Sequence, residues 1–167
     1  MKVRLLPVGE VPQGLLPQLS GRLARFGIRG EVLGQIAVPG RARRGIRGPL
    51  RAEALVRLAP GRGAAVLAVT AEDLCAEGYE YVFGYANIGS SGAVVSVARL
   101  REPDSDRLLD RVVKEAVHEL GHTWGLGHCD SPSCVMHHSE SVEDADLKQE
   151  GFCGTCGGRV PFGMGTA

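Results

Sequence analysis

His118-Glu119-Leu120-Gly121-His122-Thr123-Trp124-Gly125-Leu126-Gly127-His128 sets three histidines and a glutamate within eleven residues. Just upstream, Pro103-Asp104-Ser105-Asp106 offers N-cap candidates, and Leu108, Leu109, Val112, Val113, Ala116, Val117 and Leu120 recur with a period near 3.6. That pattern predicts an amphipathic helix running into the motif. On such a helix His118 and His122 stand one turn apart on one face, so both imidazoles can grip one metal ion. Glu119 is rotated from His118 by about 100°, which sets its carboxylate beside the metal, within reach of a bound water. A continuing helix could not bring His128 to the same ion. Gly125 can adopt positive φ, end the helix and turn the chain back. Three neutral imidazoles suit zinc and leave a fourth position for water. An ordinary amphipathic helix with surface His and Glu is the competing reading, and it gives Gly125 and His128 no role.

The soft ligands continue beyond the motif. All five histidines lie between His118 and His138, and four of the five cysteines between Cys129 and Cys156. Cys129, Cys134 and the Cys153-Gly154-Thr155-Cys156 knuckle form two close pairs, which match a structural tetrahedral zinc site. Two disulfides or a redox pair are the alternatives, and His137 or His138 could replace one cysteine. A reducing compartment and the lack of a βαβ frame around Cys153 disfavour the first two. The tail after His128 has few apolar residues, so a zinc clip is expected to supply its folding free energy. Cys75 reads as a free or buried thiol in an acidic loop.

The rest of the chain alternates. Val3 to Val8, Glu31 to Val38, Gly63 to Thr70, Tyr79 to Ile88 and Gly92 to Leu100 read as strands, and Leu15 to Phe26 and Arg51 to Leu58 as helices. Val142 to Glu150 is a further short helical candidate. Strand, helix, strand, helix and three strands imply an α/β sandwich with a mixed sheet. The arginines between Pro39 and Gly48 read as a solvated loop.

Composition narrows the function. With 19 basic and 19 acidic residues, the chain does not read as a nucleic-acid binder. No segment approaches the roughly 18 apolar residues of a membrane span. Pro7, Glu10 and Pro12 interrupt any signal-peptide core. A cytoplasmic location, no nucleic-acid or membrane partner and a monomeric state are the expectations.

The extended motif is that of the metzincins, in which a methionine turn lies beneath the zinc, and Met136 in Cys134-Val135-Met136-His137-His138 is the candidate. Together with Cys153 and Cys156, this string resembles the archaemetzincin family of metallopeptidases. Phe83-Gly84-Tyr85-Ala86 and Val94 to Leu100 also look like family sequence. The resemblance implies a metzincin-like α/β (α+β) fold: a mixed twisted sheet, a backing helix, the active-site helix, and a small zinc-stapled C-terminal subdomain. The expected division is 1–127 and 128–167, in one catalytic unit. By position, the resemblance assigns His118, His122 and His128 to a catalytic zinc and Glu119 to the general base. It assigns Cys129, Cys134, Cys153 and Cys156 to a second zinc, making two per chain.

The expected reaction is peptide-bond hydrolysis of a peptide or protein substrate, by a zinc-activated water with Glu119 as base. The Gly92 to Leu100 strand is expected to be the sheet edge that pairs with substrate. His137, His138 and Tyr85 are candidates for the oxyanion partner. Two other readings stand beside this one: a zinc-binding protein with little peptidase activity, and a zinc hydrolase of small amides. An open groove would favour peptides and a closed pit small molecules.

Overall fold

Side-chain alternation along the strands decides how the layers assemble. In β1 (Lys2–Val8), Val3 and Leu5 enter one core while Leu6 and Val8 enter another. β4 (Ala65–Thr70) and β8 (Gly92–Ser96) repeat this, with Leu67, Val69, Ala93 and Val95 on the first face and Val66, Ala68 and Val94 on the second. These strands are buried on both faces, which explains their near-continuous apolar runs. The computed structural model describes residues 1–59 and 63–161. The end of the segment expected to run from 128 to 167 therefore lies outside the described residues.

The main sheet has the order β2-β1-β4-β8-β7, where β2 is Arg29–Val32 and β7 is Gly84–Ala86. β2, β1, β4 and β8 are parallel, and β7 is antiparallel to β8. A second sheet, ordered β3-β5-β6, joins Leu50–Arg51, Leu74–Ala76 and Tyr79–Val82. The fold is thus the expected mixed α/β sandwich, with several departures, the first being that the strand expected from Glu31 to Val38 is β2 and ends at Val32. The run from Tyr79 to Ile88 breaks at Phe83 into strands of two different sheets. Cys75 is buried in β5 and not in a loop. β8 is paired on both sides, so the edges of the main sheet are β2 and β7.

The first face of the sheet carries α1 (Leu15–Ala24) and α3 (Ser105–Thr123); the second carries α2 (Ala52–Val56). α3 begins where predicted: the Asp104 carboxylate accepts hydrogen bonds from the Asp106 and Arg107 amides. Such a cap contributes about 1 kcal/mol. Leu109, Val112, Val113, Ala116, Val117 and Leu120 are all buried, and together they outweigh the cap several-fold at about 1.5–3 kcal/mol for each large side chain. Burial, not capping, places this helix.

Beyond α3 the chain is turn-rich, with α4 (Val142–Leu147) and α5 (Gly154–Gly157) as its only helices among the described residues. Apolar burial helps to hold it. Val135, Met136, Phe152 and Val160 are buried in the same core as α3, so the expectation of a tail without burial needs correcting. Ion pairs add to this packing. The Arg111 guanidinium on α3, only 5 % exposed, donates to both oxygens of Asp146 on α4, at 2.7 and 2.8 Å. No helix among the described residues is long and apolar enough to cross a membrane.

Asp146→Asn should destabilise the fold by about 2 kcal/mol, the scale of a hydrogen bond between charged groups, read from urea unfolding at pH 7. Hydrogen bonds from Arg111 hold the Asp146 carboxyl well below its ordinary range. Its stabilisation is therefore present above the unfolded value near ~4 and is lost as pH falls through the folded value. The gap between wild type and variant should narrow in acid, and a constant gap would contradict this assignment.

Candidate metal centre

The last turns of α3 present His118, Glu119 and His122 toward a cleft, each less than a tenth exposed. Trp124 closes the helix and Gly125 follows at φ 93°, a conformation that favours glycine. The chain reverses there, as the Leu126 amide donates to Gly121. His128 is returned to the other two histidines, and one ring nitrogen from each lies within 4.8 Å of the others.

The tautomers follow from the hydrogen bonds. His118 Nδ1–H donates to the Val135 carbonyl, and His122 Nδ1–H donates to the Leu126 carbonyl, both at 2.8 Å. Each neutral ring is then left with a lone pair on Nε2, and these two atoms stand 3.1 Å apart. Two facing lone pairs repel unless a cation lies between them. The backbone carbonyls thus fix the rings in the orientation a zinc ligand requires. The charged forms are disfavoured as well. Burial pushes all three histidines down, aided by Lys148 at His118 and by His122 at His128, which falls to about 4. The donor set fits zinc.

Glu119 lies beside the three histidines and outside the group they form. Burial, then the neighbouring Glu115, pushes its carboxyl well above the usual range, with Lys148 opposing. Its Oε2 is buried with no hydrogen-bond partner among the described residues. Packed against this carboxylate is Gly84 on β7, where an added Cβ would lie 2.6 Å from Glu119 Oε1. Only a glycine lets the edge strand come this close to the carboxylate.

Below the histidines, Met136 is fully buried against α3. An added Cβ at Gly121 would lie 2.4 Å from Met136 Sδ and 3.3 Å from Phe152. The variable position Gly121 within the motif is therefore what admits the methionine. Met136 also accepts through its carbonyl from the Cys129 amide.

Cys129, Cys134, Cys153 and Cys156 converge, with their sulfurs all within 4.8 Å of one another. The sulfurs of Cys129 and Cys153 are 3.9 Å apart, far beyond the roughly 2.05 Å of a disulfide. Burial pushes the Cys134 and Cys156 thiols up, whereas the Cys156 amide holds Cys153 down. Four crowded sulfurs favour ionisation only around a cation, and this donor set too fits zinc. Neither His137 nor His138 belongs to the group.

Of the three oxyanion candidates, His137 Nδ1–H donates to the Cys129 carbonyl and Tyr85 donates to Asn87. His138 lies tilted against His128, with ring centres 4.7 Å apart, and lines the cleft. Sequence reasoning missed Glu115 and Lys148, a fully buried ion pair at 2.8 Å beneath the site. Lys148 also donates to the His137 carbonyl, and Ser139 to Glu115. A glutamate one turn before Glu119 was a usable signal. Lys148, in a polar turn, gave none.

Comparison with known proteins agrees with this geometry. The model of peptidase family M54 matches residues 44–160. The chain is similar to an archaemetzincin of Methanopyrus kandleri, 44 % identical over 154 residues, covering 86 % of this chain and 88 % of that one. A crystal structure of archaemetzincin from Archaeoglobus fulgidus complexed with malonate is similar at a TM-score of 0.89 and 37 % identity, covering 96 % of this chain and 100 % of that one. A zinc-dependent peptidase from Methanocorpusculum labreanum is similar at 0.83 and 28 %, covering 95 % and 100 %.

Gly121→Ala should cost about 1–3 kcal/mol, the range for overpacking a filled core, because Met136 and Phe152 must both move. Gly127→Ala, where an added Cβ meets nothing within 4 Å, should cost far less. Urea unfolding of the two variants checks the pair, and equal losses would refute the packing argument.

Proposed function

This chain belongs to peptidase family M54, the archaemetzincins, and is a zinc metallopeptidase; from that premise we propose which residues perform the hydrolysis. His118, His122 and His128 hold the catalytic zinc. The observation that carries the assignment is the convergence of three ring nitrogens, two of them on rings fixed by backbone carbonyls. When bound, zinc supplies a Lewis acid that polarises the scissile carbonyl and acidifies a water.

Glu119 acts as the general base. Its residue lines the cleft, its Oε2 has no partner among the described residues, and burial raises its affinity for the proton it must take from the attacking water. The same carboxyl then delivers that proton to the leaving amine. The substrate lies extended along β7, the edge of the main sheet that lines the cleft, with its backbone hydrogen-bonded to that strand. Contact between Gly84 and Glu119 brings this edge beside the base. A cleft of about 860 Å³ with an open strand edge suits a peptide better than a small amide.

Cys129, Cys134, Cys153 and Cys156 hold a second, structural zinc, for two per chain. It staples the segment from residue 128 onward as a small subdomain of one catalytic unit. The cysteine usage supports a reducing, cytoplasmic setting, and we read the working form as a monomer without nucleic-acid or membrane partners.

Glu119→Gln should keep its metal content and lose about 10²–10⁴ in rate, the usual weight of a positioned acid–base group. His122→Ala should lose the histidine-bound zinc and keep the cysteine-bound one. Zinc analysis and peptide-library cleavage on both variants test the assignment. Wild-type turnover in Glu119→Gln would remove Glu119 from the mechanism, and loss of its zinc would make it a metal support.

A further inference from the structure

Two stretches of chain wall the cleft beside the histidines. One runs from Tyr79 to Ile88, and the other holds His138, Ser139 and Glu140. Tyr81 joins them: its hydroxyl donates to the Glu140 carbonyl at 2.6 Å. The reaction assigned above uses neither residue.

Both partners in this bond are braced from behind. The Arg99 guanidinium lies 4.2 Å from the centre of the Tyr81 ring and donates to both Asp73 oxygens at 2.8 Å. Phe83 meets the same ring edge-on, with centres 5.8 Å apart. A cation over the ring face, itself held by a bidentate carboxylate, fixes where the phenol points. On the opposite wall, the Glu140 and Ser141 amides donate to Asp144 Oδ2 at 3.1 and 2.9 Å. The Ser139 hydroxyl donates to Glu115, and Lys148 to the His137 carbonyl. The bond thus ties two supported segments together.

Its place along the cleft gives it a consequence for substrate. Gly84 packs against the Glu119 carboxylate and begins β7. Tyr81 stands three residues before Gly84, where the chain belongs to β6 of the other sheet. Tyr85, Ala86 and Ile88 follow Gly84, and Ile88 is 64 % exposed. A peptide laid along β7 therefore runs out past Ile88 in one direction and meets the Tyr81–Glu140 bond in the other. Three residues of extended chain span about 10 Å, so about three substrate residues fit between the base and this crosspiece.

We propose that Tyr81 is a specificity-determining residue: its bond to the Glu140 carbonyl closes one end of the cleft and limits how far a substrate extends beyond the scissile bond on that side. The inference rests on the reading that substrate pairs with β7 and is cleaved beside Glu119. A longer chain enters only when the bond is broken, so length discrimination follows from the strength of one hydrogen bond.

The test uses full-length, zinc-loaded protein and two series of fluorogenic peptides with one cleavable core. One series is lengthened residue by residue on the amino side, the other on the carboxyl side. In one series kcat/KM should fall once the extension passes about three residues, with the loss carried by KM. The other series should show no such fall. Tyr81→Phe keeps the ring and its contact with Arg99 and removes only the hydroxyl. It should raise the long-to-short ratio in the limited series by about two- to tenfold, the range for one net hydrogen bond, and leave the ratio in the other series unchanged. A wild type without a length limit in either series, or a Tyr81→Phe protein with an unaltered ratio, overturns the proposal. If no peptide is cleaved, the hydrolytic assignment fails separately. Fluorescence anisotropy of the same peptides on Glu119→Gln and Glu119→Gln/Tyr81→Phe then decides. Tighter binding of the long peptides without the hydroxyl supports the crosspiece, and equal binding overturns it.

Discussion

The hydrogen bond from His118 Nδ1–H to the Val135 carbonyl joins the two halves of this molecule. It is buried, spans the helix and the following loop, and fixes from behind a ring of the histidine cluster. Everything near it depends on the same approach of chain to chain. Met136 reaches under α3 because Gly121 has no side chain. Met136 in turn binds the Cys129 amide through its carbonyl, one residue after His128. The three histidines are thus not set by the helix alone. One ring is held by the loop and one by the helix's own reversal at Gly125, and the third belongs to the residue next to Cys129, whose amide donates to Met136.

The electrostatics follow from this crowding. Glu115, Glu119 and Lys148 are all less than a tenth exposed. A buried ion pair such as Lys148–Glu115 contributes little net stability, because desolvation offsets its attraction, but removing one partner is costly. Its effect here is on the surroundings. Lys148 also donates to the His137 carbonyl, so the loop carrying His138 and Ser139 is fixed against the helix that carries Glu119. A dication held by neutral imidazoles beside one ionisable carboxylate is compatible with this balance, since Lys148 already answers Glu115.

The sequence made the active helix legible because several signals coincide there: the Asp104 cap, the 3.6-residue apolar stripe, paired histidines and Gly125. The central strands were legible from their apolar runs. What failed has a common cause. Tyr79 to Ile88 reads as one strand, but the chain changes sheets at Phe83, and half-buried side chains on both pieces leave no break in the pattern. Strand order is a non-local property, so β8 was taken for the edge that β7 in fact provides. Phe152 and Val160 are isolated apolar residues in a polar tail, and only the fold shows that they enter the main core. Carbonyl groups such as that of Val135 have no sequence signature at all.

The central claim is that the cysteine cluster and the histidine site are one mechanical unit, coupled through Val135, Met136 and Cys129. Native mass spectrometry with zinc counting on wild type and Cys153→Ser tests it most directly. Wild type should carry two zinc ions, one for each donor set. Cys153→Ser should lose the cysteine-bound ion and release the histidine-bound ion faster to a chelator. A variant that keeps the histidine-bound zinc with an unchanged release rate would contradict the account.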